Sequence, residues 1–411
     1  MAGALTGIRV IDLSHVLAAP TTTMFLADLG AEVIHVEPPH GDDAREYGPF
    51  AGEPDKNRSG YFISLNRNKK SMVLNLRHER GKEILRRLLE TADVVVENYR
   101  PDTMRKLGFG WEELQKINPR LVYASISGFG HDSPPEYASR PSYDMVAQAY
   151  SGLMSITGPR EGPPCRVGTS IGDILAGHQA AIGILAALIH RQKTGRGQRY
   201  DGSMVDGLFS VLESAVVRYT ITGQVPGPLG GMHPTITPFQ ALRTRDSAIV
   251  IAIGNDTLWR RFCAVLDRPD LADDPRFRTN PVRCENKEEL GDILEAELQK
   301  KTAREWIALF EKADLPCGPI HNIREICEDP IIAHRGMLVE VEQPVAGKIR
   351  IANSPIRLSE TPGAVRDPAP LLGQHTEEIL GELLGFSPNQ IEELREQGVV
   401  NRREAWFPGV I

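Results

Sequence analysis

Short apolar runs alternate with helical patterns through the first 130 residues, and this restricts the fold more than any other feature of the chain. "GIRVIDLS", "EVIHVE", "KSMVLNL", "DVVVENY" and "LVYASISGFG" are brief and rich in Val and Ile, as strands are. Between them lie "TTTMFLADLGA", "ERGKEILRRLLETA" and "WEELQKI", which carry helical spacing. Strands that stay apolar on both faces and alternate with helices imply βαβ units and a mostly parallel sheet. The expected class is therefore α/β, with a Rossmann-like large domain. In such sheets ligands bind beyond the carboxyl ends of the strands.

A dinucleotide enzyme is the obvious reading of that pattern, and the residues do not support it. "SHVLAAPTTT" follows the first strand where G-x-G-x-x-G would be needed, and no P-loop occurs. From Thr222 the texture changes to "GQVPGPLGGMHPTITP", a glycine- and proline-rich loop. "FQALRTRDSAIVIAIG" then reads as a hairpin turning near Arg245–Ser247. "NDTLWRRFCAVL" reads as a helix capped by Asn255 or Asp256, and Thr302 with Glu305 forms a capping box. The expected division is 1–224 for the large domain, 225–330 for a smaller α+β domain, and 331–411 for a segment returning to the large one.

A net charge of −7 argues against a nucleic-acid or anionic-membrane surface. Five cysteines without a CxxC pair read as reduced thiols and no zinc site. The first residues lack the basic and apolar regions of a signal peptide, so a cytoplasmic location is expected.

"RVGTSIGDILAGHQAAIGILAALIHRQKTGRGQ", residues 166–198, sets one acid, Asp173, at the mouth of an apolar helix. The helix reads as a core element, too short to span a bilayer. A cap is the ordinary role for Asp there, since it satisfies free backbone N–H groups and the positive end of the dipole. The same physics would also hold an ionised carboxylate ready to attack an activated acyl group. The position alone does not choose between the two.

Its company does. "FISLNRNKKSMVLNL", "VVVENYRPDTMRKLGFGWEEL", "ASISGFG", "RPSYDMVAQAYSGLMSITG" and "RQKTGRGQRYDGSMVDG" occur in that order. Together they resemble the class III CoA-transferases, the CaiB/BaiF group that includes formyl-CoA transferase, over about residues 5–400. The resemblance implies an interlocked homodimer. It implies Asp173 as a nucleophile that forms an aspartyl–acyl anhydride and then an aspartyl-CoA thioester. It implies Gly230 and Gly231 in a mobile loop closing over the site, with Asp144 supporting the nucleophile. Coenzyme A, entering as an acyl-CoA substrate, would meet Val16, Asn66, Arg67, Asn68, Lys69, Asn98, Tyr99, Arg100, Lys106, Arg140 and Tyr143. No metal, redox or other permanently bound cofactor is required.

This chain departs from the family pattern in two places. Leu17 stands where formyl-CoA transferase has a glutamine, and Pro38 and Pro39 follow Glu37 where a base is expected, leaving Arg45 as the nearest substitute. The departures point to a small carboxylate acceptor, such as a dicarboxylate. The same fold hosts α-methylacyl-CoA racemases, which use a His/Asp pair. Here Tyr143 precedes Asp144, and tyrosine is a poor base at neutral pH. A non-catalytic acyl-CoA carrier is the remaining alternative, and it would not need Asp173.

Overall fold

The structure, a computed structural model, describes residues 3–401. The chain forms two compact units. The larger comprises the residues up to 153, 167–216 and those from 331 onward; the smaller comprises 154–166 and 217–330.

Six strands form the sheet of the large unit: β1 (Arg9–Asp12), β2 (Glu32–Glu37), β3 (Lys69–Val73), β4 (Val94–Glu97), β5 (Val122–Ser127) and β6 (Arg199–Ser203). Their order is β3-β2-β1-β4-β5-β6, and every neighbouring pair is parallel. Val10 pairs with Val33 on one side and with Val94 on the other. The chain therefore starts in the middle, winds outward, and returns to wind the other way. The reversal between β1 and β4 leaves a crevice at their carboxyl ends, where open α/β sheets bind ligands.

Burial explains the strand composition. Val10 and Ile11 point to opposite faces and both are fully buried. One face is covered by Leu85 and Leu88 from the helix Glu79–Glu90, the other by Ala180 and Ile184. With no solvated face, the strands lose the usual alternation of apolar and polar residues. The expected strands and helices of this region are all present. The sequence did not reveal β6, "RYDGS". It lies at the sheet edge, where Asp201 accepts the His131 and Asp132 N–H groups (2.9 and 2.8 Å).

Two helices set the position of the site. α1 (Ala18–Asp28) follows β1, and α3 (Ile171–Thr194) crosses it; a shorter helix, α2 (Asp144–Tyr150), lies between them in sequence. α3 is longer than the sequence suggests, with 24 residues ended by left-handed Gly195. By length and composition alone it could cross a membrane. In the fold it is a core helix: Ala176, Ala180, Ile184 and Leu188 are buried, and Arg191 pairs with Asp93 at 2.9 Å. The α1–α3 crossing depends on Gly177. A methyl group there would stand 2.7 Å from the Ala18 carbonyl oxygen and 2.8 Å from Thr21 Cβ. Gly177→Ala is expected to cost about 2 kcal/mol through overpacking. Urea unfolding checks this; an unchanged midpoint would show that the crossing can relax.

The small unit contains an antiparallel sheet of β7 (Phe239–Arg243), β8 (Ala248–Ala252) and β9 (Cys317–Pro319). Its hairpin turns through Thr244–Ser247, as expected. Asn255 caps the next helix, and the Thr302–Glu305 capping box is formed. Trp259, Phe262, Trp306 and Phe310 fill its core. The segment 154–166, placed in the large domain by the sequence reading, belongs to this unit. Gly158 accepts the Gly230 N–H (3.0 Å), and Arg160 pairs with Glu288. In the large unit, β10 (Leu338–Gln343) and β11 (Gly347–Ala352) form a separate hairpin. Residues 331–401 group with the larger unit, and the rest of the expected segment 331–411, residues 402–411, lies outside the described residues.

Candidate active site

Asp144 opens α2 and is 5% exposed. Its Oδ1 accepts the Gly172 N–H at 2.7 Å, and its Oδ2 accepts from Gln148 Nε2 at 2.7 Å. Gln148 in turn accepts the Val167 N–H at 2.9 Å, so α2 grips the segment leading into α3. A Cβ on Gly172 would sit 3.0 Å from Asp144 Oδ1 and 3.1 Å from Leu208 Cδ1. A side chain directly before Asp173 would thus press on the Asp144 carboxylate and on Leu208.

The structure corrects the capping expectation. α3 begins at Ile171, so Asp173 is the third residue of its first turn, and its carboxylate accepts no hydrogen bond from a described residue. The helix dipole favours the anion. Burial, with Asp144 nearby, outweighs it and pushes Asp173 up to about 7. Near neutrality the site thus holds a carboxylate that is partly ionised and not engaged by a hydrogen bond.

Asp173 lines a cavity of about 370 Å³ at the β1/β4 switch point. Its walls are the loop His15–Leu17 after β1, the block Asn98–Arg100 after β4, and Arg140 with Tyr143. The fold thus brings Val16, Asn98, Tyr99, Arg100, Arg140 and Tyr143 together around Asp173. Asn98 stitches the two loops: its Oδ1 accepts the His15 N–H (2.9 Å), and its Nδ2 donates to the His15 carbonyl (2.8 Å). Tyr99 stacks on the His15 ring at 5.9 Å. Tyr143 is 72% exposed at the rim. Arg140 donates Nε to the Glu136 carbonyl (2.9 Å) and lies 4.5 Å over the Tyr137 ring.

A second cavity of about 750 Å³ lies beyond the ends of β1, β2 and β3 and shares His15, Tyr99 and Thr103 with the first. Leu74–Arg77 and Glu37–Asp43 line it, and Arg77 is exposed. Sequence reasoning missed Arg77. The available signal was that "LNLR" directly follows the carboxyl end of β3, on the side of the sheet where ligand loops stand. Tyr61 was also missed. Burial pushes its hydroxyl up to about 12, with the Asp173 charge adding to the shift, so Tyr61 stays a neutral phenol.

Several expected ligand residues lie elsewhere. Arg67 forms a buried pair with Asp28 through Nε and Nη2 (3.1 and 2.7 Å). Lys69 is buried against Asp12 and Asn66 (3.1 and 2.8 Å). Asn66 is fully buried, and its Nδ2 donates to the Phe62 carbonyl. Asn68 Nδ2 donates to Asp28 and the Ala364 carbonyl, both at 2.8 Å. None of the four lines the two cavities above. Arg67 and Lys69 offset buried acids, which would otherwise be costly. Lys106 is exposed on the helix Thr103–Leu107 and also lines neither cavity. Arg45 does not replace the missing base after Glu37. It is fully buried, paired with Glu37 at 2.7 and 2.8 Å and stacked 3.6 Å over Phe62. In the small unit, Gly230 has φ +61, a backbone that favours glycine.

Among the described residues Asp173 has no hydrogen-bond partner, and it lines a crevice rimmed by Arg100 and Arg140, cations suited to an anionic ligand. The CoA-transferase family III model matches residues 5–376, and the chain belongs to that family. It is 39% identical over 402 residues to human succinyl-CoA:glutarate CoA-transferase, covering 97% of this chain and 90% of that one. It is 43% identical over 370 residues to acetyl-CoA:oxalate CoA-transferase of Acetobacter aceti, covering 88% and 92%. The crystal structure of a CaiB/BaiF family protein from Brucella suis superposes with a TM-score of 0.83 at 36% identity, covering 93% and 100%. The protein is thus an enzyme of the CoA-transferase class, which acts on CoA thioesters.

Proposed function

We propose that the enzyme moves CoA from succinyl-CoA or acetyl-CoA to a small dicarboxylate through covalent intermediates on Asp173. The observation that carries this reading is the Asp173 carboxylate itself, without a hydrogen bond from any described residue and set in the wall of the switch-point cavity. An Asp173 oxygen attacks the thioester carbonyl, the C–S bond breaks, and CoA leaves as the thiolate. The thiolate attacks the aspartyl carbonyl of the anhydride, giving an aspartyl-CoA thioester and releasing the donor acid. The acceptor carboxylate then attacks that thioester and expels the thiolate. Thiolate attack on the acceptor's acyl carbon yields the new acyl-CoA and returns Asp173. Each intermediate is an activated carboxyl, so no step is strongly uphill.

CoA is proposed to run from the second cavity into the first, with its phosphates near Arg77, Arg100 and Arg140. Arg77→Ala and Arg140→Ala are each expected to raise KM for acyl-CoA about tenfold, with kcat little changed, because these contacts persist in the transition state. Initial rates against acyl-CoA concentration check this. Gly230 and Gly231 are proposed to supply the mobile loop that shields the anhydride from water.

Racemisation fits less well. Tyr143 stands where the racemases' histidine would, and tyrosine is a poor base at neutral pH, while Asp144 is tied to Gly172 and Gln148. The family's dimer remains part of the proposal: Ile182, Ile189 and Phe209 are more than half exposed on the large unit, as a covered face would be. The relatives' glutarate and oxalate activities support a dicarboxylate acceptor. Chromatography of acyl-CoA products from a donor-by-acceptor panel tests the assignment. CoA transfer only to monocarboxylates such as carnitine or an aromatic acid would overturn the dicarboxylate class.

A further inference from the structure

The loop between β1 and α1 is held more firmly than a connection needs to be. Ser14 gives its N–H and its hydroxyl to Asp12 Oδ1. His15 is held at both backbone groups by Asn98. Val16 has φ +66, a left-handed backbone that β-branched residues avoid. Its N–H is fixed by Asp42 Oδ1 at 3.0 Å. Such outliers persist only where their surroundings enforce them, and they gather at functional sites. Val16 and the residue after it, Leu17, line the cavity that holds Asp173.

The enforcing group has its own support. Asp42 is 2% exposed; Oδ1 also caps Ala44 (2.9 Å), and its N–H goes to Glu37 (3.0 Å). Oδ2 faces His35 Nε2 at 3.6 Å, while His35 Nδ1 lies 3.3 Å from Asp12 Oδ2. His35 is 1% exposed. The charged groups around this histidine are Asp12, Glu37 and Asp42, with Lys69 on Asp12 and Arg45 on Glu37; Tyr99 feels Asp12 and Asp42 from the far side. Three acids thus meet the cations Lys69 and Arg45, and a protonated His35 balances the group. Although burial opposes it, the attraction of Asp12 and the contact with Asp42 hold His35 up at about 9.

We propose that Asp42, charge-paired with His35, is a positioning residue that forces the Val16 turn and so shapes the acyl-CoA cavity wall. The proposal rests on the reading that this cavity takes the thioester. Neither Asp42 nor His35 touches the reacting atoms. Their loss should therefore weaken ground-state and transition-state binding together and appear in KM.

The experiment compares Asp42→Ala, Asp42→Asn and His35→Gln in the full chain, reading KM for acyl-CoA, kcat and the melting temperature. Asp42→Ala is expected to raise KM about tenfold or more, since small displacements of a site wall are costly. Asp42→Asn keeps an acceptor for the Val16 N–H and should return KM to within about threefold of the native value. His35→Gln should raise KM about threefold, and it reads the same coupling if Asp42→Ala does not fold. Native KM in His35→Gln and in folded Asp42→Ala would overturn the proposal, as would equal KM for the Ala and Asn variants. Failure of the native enzyme to form an Asp173 adduct would count against the function reading, independently of these KM values.

Discussion

Asp173→Asn is expected to lower turnover by about 10⁴-fold or more while acyl-CoA binding stays within about threefold of native. The side chain keeps its shape, and the cavity wall that holds the thioester is untouched. Only the oxygen nucleophile is lost. The same variant should melt higher than the native enzyme at pH 8. The folded Asp173 pKa stands at about 7, above its ordinary value of 3.8, so ionising it in the fold costs stability. That cost is absent below about pH 4, grows as pH rises between the two values, and is complete above 7. The melting gain, about 3 °C or more at pH 8, should vanish by pH 4. Calorimetry and steady-state rates check both arms. A variant that keeps a tenth of native turnover would remove Asp173 from the chemistry.

The pH profile gives the second large effect. In the free enzyme, attack needs the ionised carboxylate, so kcat/KM should fall tenfold per pH unit below about 7. Asp144 contributes to that elevation after burial. Asp144→Asn retains an oxygen for the Gly172 N–H and removes the charge, and should move the acid limb to lower pH. Burial also pushes Glu97 up to about 7, and its carboxylate accepts the Tyr99 N–H (2.6 Å) and the Tyr123 hydroxyl (2.8 Å). Glu97→Gln therefore serves as the control that should leave the limb in place. A limb that follows Glu97→Gln instead would assign the titration to the Tyr99 loop.

The sheet was legible because burial on both faces writes a period-free apolar run into each central strand. The edge strand "RYDGS" escaped because an edge needs little apolar surface, and its Asp201 serves a neighbouring loop. Asp173 and the blocks "ENYRP" and "RPSYD" could be read, since they sit where strand ends and helix starts must expose function. The basic run "NRNKK" lies outside the two cavities at the switch point. Charge in a sequence does not say whether a cation faces a ligand or a buried acid, and Arg67 and Lys69 face Asp28 and Asp12. Arg45 misled for the same reason, being spent on Glu37. The Asp42–Val16 contact spans 26 residues and depends on a backbone angle, which no local pattern records.

The most direct measurement mixes the enzyme with succinyl-CoA or acetyl-CoA in the absence of acceptor, followed by intact mass and peptide mapping. The account predicts an acyl or CoA adduct on the peptide carrying Asp173, lost in Asp173→Asn and discharged when a dicarboxylate is added. An adduct on another residue, or no adduct together with α-proton exchange in heavy water, would contradict it.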